Sequence, residues 1–193
     1  MKTLLVTAAL AASMIAPAAA QAQPIPAAIV AVVDLQRVTT DCNACKTANA
    51  ALTSQVNALR SRQQTLAGPL NTEGQSIQTA ANALNGKEPD AALQARVKAY
   101  QTKVDSAQQE LARQEQQIQA NKAYIQKQIF DKLGPIYQQV MQRRGANVMV
   151  ELGNTLASGS ALDVTSDVLT ALNSALPSVQ TTAPAQAKQP QGR

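Results

Sequence analysis

The chain has 193 residues, 45% of them hydrophobic but only 2% aromatic, with no Trp and no His. Much of the apolar count is Ala, so bulk for a deep globular core is scarce, and the Ala- and Gln-rich composition suits long exposed helices. Seventeen Lys/Arg against 12 Asp/Glu give a formal charge of +5, but the basic residues are scattered and have no aromatic interleaving, which argues against a nucleic-acid partner.

Read from the N-terminus, Lys2, an apolar stretch over 4–15 and the small residues Ala18-Ala19-Ala20 follow the order of a secretory signal peptide. Cleavage is expected after residue 20, with an alternative after residue 22. The apolar run is shorter than the roughly 20 residues a bilayer demands, and Pro17 ends it. No later stretch is a candidate span, and no Cys near the cleavage site suggests a lipid anchor. Residues 21–28 form a Pro/Ala-rich leader. Ile29-Val30-Ala31-Val32-Val33-Asp34 is a β-branched run that reads as a buried strand, and a helical pattern takes over at once.

From Leu52 the apolar positions step by four and three through Val56, Leu59, Leu66, Leu70, Ile77, Ala80 and Leu84, with polar faults at Gln63 and Glu73. That is a coiled-coil seam. Asn85-Gly86-Lys87-Glu88-Pro89-Asp90 carries the signals of a turn at 85–90. The seam resumes at Leu93 and continues through Val97, Tyr100, Val104, Ala107, Leu111 and Ile118 to Val140, with Asn121 in a seam position. Two such helices about one turn predict an antiparallel hairpin over 42–144, an arm of roughly 60 Å at 1.5 Å per residue. Gly68-Pro69 and Gly134-Pro135 are expected to kink or bend the helices. The segment 37–144 holds 14 Lys/Arg and 8 Asp/Glu, a net +6 that favours encounters with anionic segments and allows weak contact with an anionic membrane surface.

After the arm, residues 147–152 read as a second strand and Thr155-Leu156-Ala157 as a short third. Asp163 is placed to cap a final short helix. The strands before and after the hairpin can pair. So small a sheet needs further partners, which predicts a discontinuous β-rich oligomerisation body from 29–41 and 145–176. The Pro/Gln/Ala-rich tail 177–193 is expected to be disordered. The fold class is therefore α+β: a long antiparallel helical hairpin inserted in a small β-sheet body.

Cys42-Asn43-Ala44-Cys45 is the only chemically suggestive motif. A CxxC pair in an oxidising compartment can be a redox disulfide, but the βαβ context of such oxidoreductases is missing. Two thiolates are half of a tetrahedral metal set. The favoured reading is a local structural disulfide bracing the strand-to-helix junction. No Gly-rich phosphate loop, carboxylate pair or nucleophile–base arrangement stands out, so neither catalysis nor a cofactor is expected.

The segment 29–38, the Gln/Lys/Ala-rich hairpin, and the stretches 146–151 and Leu162-Asp163-Val164-Thr165-Ser166-Asp167-Val168-Leu169 together resemble the Skp/OmpH family of periplasmic chaperones. The resemblance covers about residues 28–173; the CxxC pair departs from it. It implies a homotrimer with a shared β-rich body, from which three helical tentacles enclose a cavity. Unfolded outer-membrane proteins would be held there without ATP. Arg60, Arg62, Lys87, Arg96, Lys98 and Lys103, toward the arm tip, are the candidate client-contacting cations. A structural or adaptor coiled coil of the envelope is the competing reading; it should show complementary charges flanking the seam.

Overall fold

The computed structural model describes residues 26–184; the expected signal peptide at 1–20 lies outside them. Strand β1 (Val30–Val33) leads into a short helix α1 (Leu35–Asp41), then α2 (Asn43–Ala83) and α3 (Ala91–Arg144). Strand β2 (Val148–Glu151) and helix α4 (Thr165–Ala175) follow, joined through two single 3-10 turns. The fold is mixed α+β, with a two-stranded sheet and long helices.

At 41 and 54 residues, α2 and α3 dominate the molecule. They pack antiparallel, since Gln55 meets Asn121, Arg62 meets Glu110 and Glu73 meets Lys103. The reversal runs through Asn85 (φ 48°) and Gly86 (φ 84°), and Asp90 then caps α3 by accepting the Leu93 N–H at 2.8 Å. At the far end, Gly145 closes α3 in the left-handed region (φ 67°), where a Cβ would be strained, and its N–H reaches back to the Gln142 carbonyl at 3.3 Å. This cap turns the chain so that β2 runs parallel to β1, with Val30 beside Val148 and Val33 beside Glu151.

Both helices continue unbroken through Pro69 and Pro135. Neither proline therefore ends its helix; each lacks the backbone donor that would reach the carbonyl of Thr65 or Asp131. An unexpected break lies earlier. Cys42, extended at φ −60° and ψ 143°, separates α1 from α2 and ends the first while capping the second.

The core sits at the base, where β1, α1, the start of α2, the end of α3 and α4 converge. Val38, Leu133, Val140, Val168 and Leu172 are fully buried there, joined by Ala31, Val33, Ala48, Ile129 and Ile136. The β1 run is covered on both faces, which explains its unbroken β-branched character. The third strand expected at 155–157 does not form. Leu156 is fully exposed, and the second edge of β1 is taken instead by the segment before α4: the Val164 N–H donates to the Val32 carbonyl at 2.8 Å, and Asp163 bridges Val32. The N-cap residue of α4 is Val164 rather than the expected Asp163, which from one position earlier accepts the Thr165 N–H at 2.8 Å. The Thr165 hydroxyl, then that N–H, then the more distant Arg37 hold the Asp163 carboxyl below its ordinary range.

The Tyr137 hydroxyl is buried with no hydrogen-bond partner among the described residues. Burial first, then the Glu151 carboxylate, push its pKa from 10.0 up to about 12. The unfolded phenol ionises near ~10, so the stabilisation from a neutral Tyr137 is complete below that pH and is lost as pH rises through about 12. Tyr137→Phe removes an unsatisfied buried group. It should raise unfolding free energy by about 1 kcal/mol and flatten the alkaline decline of the urea midpoint; an unchanged alkaline slope would count against this assignment.

Candidate functional site

The arm is built differently from the base. Along α2 from Leu52 to Leu84 every apolar seam residue is only half-buried, and over the facing stretch 91–120 of α3 only Leu93 and Ala107 are buried. Two helices can cover one face each, and the small Ala and polar Gln side chains close that face thinly. Gln63, a polar fault in the seam pattern, simply points outward. Near Pro69 the helices leave an apolar groove of about 400 Å³ between Leu66, Pro69, Leu70, Thr102 and Ala107.

Polar side chains hold the arm together where apolar ones are few. The Arg62 guanidinium grips Glu110 with two bonds, at 2.7 and 3.0 Å. That bond holds the Glu110 carboxyl below its usual range and raises Arg62. Lys103 pairs with Glu73 at 2.6 Å, and Arg96 donates to the Ser76 hydroxyl at 3.0 Å. Of the six candidate client-contacting cations, these three are thus engaged across the hairpin. Arg60, Lys87 and Lys98 are exposed and, among the described residues, without ion pairs. The thin seam therefore carries complementary charges on its flanks, the feature expected of the competing spacer reading.

Deeper along the arm, Asn121 is buried at 3% exposure and hydrogen-bonded through both its amide nitrogen and its carbonyl. Its amide donates to Gln55 at 2.8 Å, and its carbonyl accepts from Gln117 and from the Ala183 N–H, both at 2.8 Å. The last of these contacts comes from the tail. The disorder expected for 177–193 does not extend to 177–184: Val179 packs against the core and Gln180 bonds Gln128. Residues 185–193 lie outside the described residues.

Cys42 and Cys45 are joined as a disulfide, with Cα atoms 5.0 Å apart, across the break between α1 and α2. Both lie in the base core, at 0% and 2% exposure. The Cys42 sulfur accepts the Cys45 N–H at 3.0 Å, and the Asn43 N–H donates to Asn173 of α4 at 2.8 Å, so the first turn of α2 is tied locally and to the base. Sulfurs this buried are closed to the attacking thiolate that exchange chemistry needs. Among the described residues no cluster of three or more metal-ligating side chains occurs, and no helix is long and apolar enough to cross a membrane.

The base, the parallel strand pair and the returning hairpin together match a known pattern. The family described as outer membrane protein (OmpH-like) matches residues 29–172. The chain belongs to the OmpH-like family. A crystal structure of an OmpH-like outer membrane chaperone from Caulobacter crescentus is similar in fold, with a TM-score of 0.68 and 18% identity over 86% of this chain and 98% of the other. No curated protein matches the chain. OmpH-like membership makes this a member of a family of periplasmic chaperones rather than of enzymes.

Sequence reasoning located the arm and the cysteines but missed Gln55, Gln128 and the tail they hold. Asn121 was the one visible signal, a polar residue in a seam position.

Proposed function

We propose that the chain is an ATP-independent holdase that keeps unfolded outer-membrane proteins from aggregating, in the periplasm, after cleavage of a signal peptide at residues 1–20. The observation that carries this reading is the contrast between a well-packed base and an arm whose apolar seam stays half-covered along its length. Unfolded barrel strands alternate apolar and polar residues and pair edge to edge with one another. Many weak apolar contacts along an open arm engage such strands reversibly and gain strength by multivalency. Arg60, Lys87 and Lys98 add long-range attraction for anionic segments, and weakly for anionic membrane surfaces. Arg62, Arg96 and Lys103 shape the arm itself, with client contact as a second use of their exposed portions.

The active form is a homotrimer whose coiled-coil arms surround a cavity. Two strands are too few for an independent sheet, and Val148, Leu152, Leu156 and Leu162 are exposed large apolar residues of the body. The discontinuous body 29–41 and 145–176 is the part that associates, and 42–144 is the part that projects. The Cys42–Cys45 disulfide braces their junction.

A second reading, an adaptor coiled coil of the envelope, is favoured by the Arg62–Glu110 and Lys103–Glu73 pairs, which zip the arm as a spacer would need. The two separate in one assay. The mature protein at one trimer per client should suppress light scattering from a urea-unfolded outer-membrane β-barrel protein on dilution, with no nucleotide present. Undiminished scattering would leave the spacer. Solution mass tests the trimer independently, and a stable monomer would remove the shared body.

A further inference from the structure

Every hydrogen bond between residues 177–184 and the hairpin, among the described residues, joins a side-chain amide of the hairpin to the main chain of the tail. Gln128 accepts the Gln180 N–H at 2.9 Å and donates to the Gln180 carbonyl at 2.9 Å. Gln55 donates to the Thr181 carbonyl at 3.3 Å, and Asn121 accepts the Ala183 N–H at 2.8 Å. No tail side chain takes part, so these contacts do not depend on the tail's sequence.

The tail crosses the hairpin as a non-helical segment with a bend at Thr181 and Thr182. Val179, Thr181 and Ala183 are half-buried while Gln180, Thr182 and Pro184 are exposed, the two-residue alternation of an extended chain. Lengths agree: seven residues of α3 from 121 to 128 rise about 10 Å, which is the reach of three extended residues. The reciprocal pair at Gln128 and Gln180 reproduces what a neighbouring antiparallel strand offers, one donor and one acceptor to one residue.

We propose that this row of amides is a binding site for extended polypeptide backbone, filled by the chain's own tail when no client is present. Its working occupant is a strand segment of an unfolded outer-membrane barrel polypeptide. The barrel occupant rests on the holdase reading; the backbone site itself does not. Barrel strands share the tail's two-residue alternation, and their unpaired N–H and C=O groups are what an aggregating edge presents. Past Pro184 the surface continues as an open groove of about 930 Å³ along Arg113, Gln116, Gln117 and Ala120, which gives room for a strand longer than the tail segment. A covalently attached tail competes at high effective concentration. It thereby excludes isolated short peptides and yields to long chains that bind the arm at several points.

Hydrogen exchange on the full mature chain tests this, alone and saturated with urea-unfolded barrel protein diluted from denaturant. The Gln180 and Ala183 amides should be protected in the free protein and lose that protection by about tenfold or more in the complex, as their partners are taken. Continued protection of both in the saturated complex overturns the proposal. A second arm uses Gln180→Pro/Ala183→Pro, which deletes the two tail donors and leaves the hairpin intact. This variant should bind a fluorescein-labelled ten-residue barrel-strand peptide about tenfold more tightly than the parent. Adding Gln55→Ala and Gln128→Ala should abolish the gain. Equal peptide affinity for parent and proline variant also overturns it. Suppressed barrel aggregation alongside an immobile tail rejects only this site. Failure to suppress aggregation rejects the holdase reading, and the peptide arm then decides the backbone site alone.

Discussion

Leu133→Ala should destabilise the protein by about 3–5 kcal/mol, whereas Leu66→Ala in the arm should cost less than about 1 kcal/mol. Both remove the same atoms from the same kind of helix. Leu133 is fully buried in the base among Val38, Ile129, Val140, Val168 and Leu172, which come from three different helices. A cavity there cannot close without moving several elements at once. Leu66 faces an open groove and is already half in water, so little area is lost and the helices settle around the gap. Urea unfolding of each variant decides the matter, read as a shift in midpoint at constant slope. Equal losses at the two positions would mean that the arm is packed as firmly as the base. The expected inequality has a functional side: local opening of the arm costs less than opening of the base. The arm can then change its spacing around a client while the base keeps its structure.

That contrast was partly legible in the sequence. The β-branched run at 29–34 announced β1, because a strand covered on both sides needs little alternation, and the apolar stretch at 147–152 announced the half-buried β2. The turn was plain from Asn85-Gly86 and Pro89. Seam spacing gave the hairpin, and the pairing of Glu73 with Lys103 could have been found by stepping equally outward from residue 88. The helix break at Cys42 could not. No Gly or Pro marks it, and its cause is tertiary: the Cys42 sulfur, Asn173 and the base core together make a capped second start better than a continuous helix. The ordered tail was hidden for another reason. Its own composition is that of a disordered segment, and the residues that hold it are glutamines and an asparagine more than fifty positions earlier. A main chain held by someone else's side chains leaves no trace in its own residue types. The third strand failed in the opposite way, having suitable residues but pairing with neither edge of the sheet.

The cysteine pair is expected to matter through stability alone. Replacing both, Cys42→Ala with Cys45→Ala, should cost about 2–4 kcal/mol, of which roughly 2 kcal/mol is the loop-closure entropy of a four-residue ring. The remainder is the lost packing of two sulfurs that are 0% and 2% exposed in the parent, together with the cap that the Cys42 sulfur provides to the Cys45 N–H. Reductant distinguishes these parts. Under denaturing titration it should lower the parent's stability by about 2 kcal/mol and leave the double variant where it was. An unmoved parent would mean that the bond does not brace the junction. Aggregation suppression by the double variant, assayed at a temperature where its base stays folded, should match the parent per folded chain, because the disulfide lies at the root of the arm and away from its exposed seam. Were the pair instead to exchange with a client's thiols, the loss of function would appear at full stability. The burial of both sulfurs beneath α4 and α1 opposes that route, since a client disulfide cannot reach them without opening the base that Leu133 and Val168 hold shut.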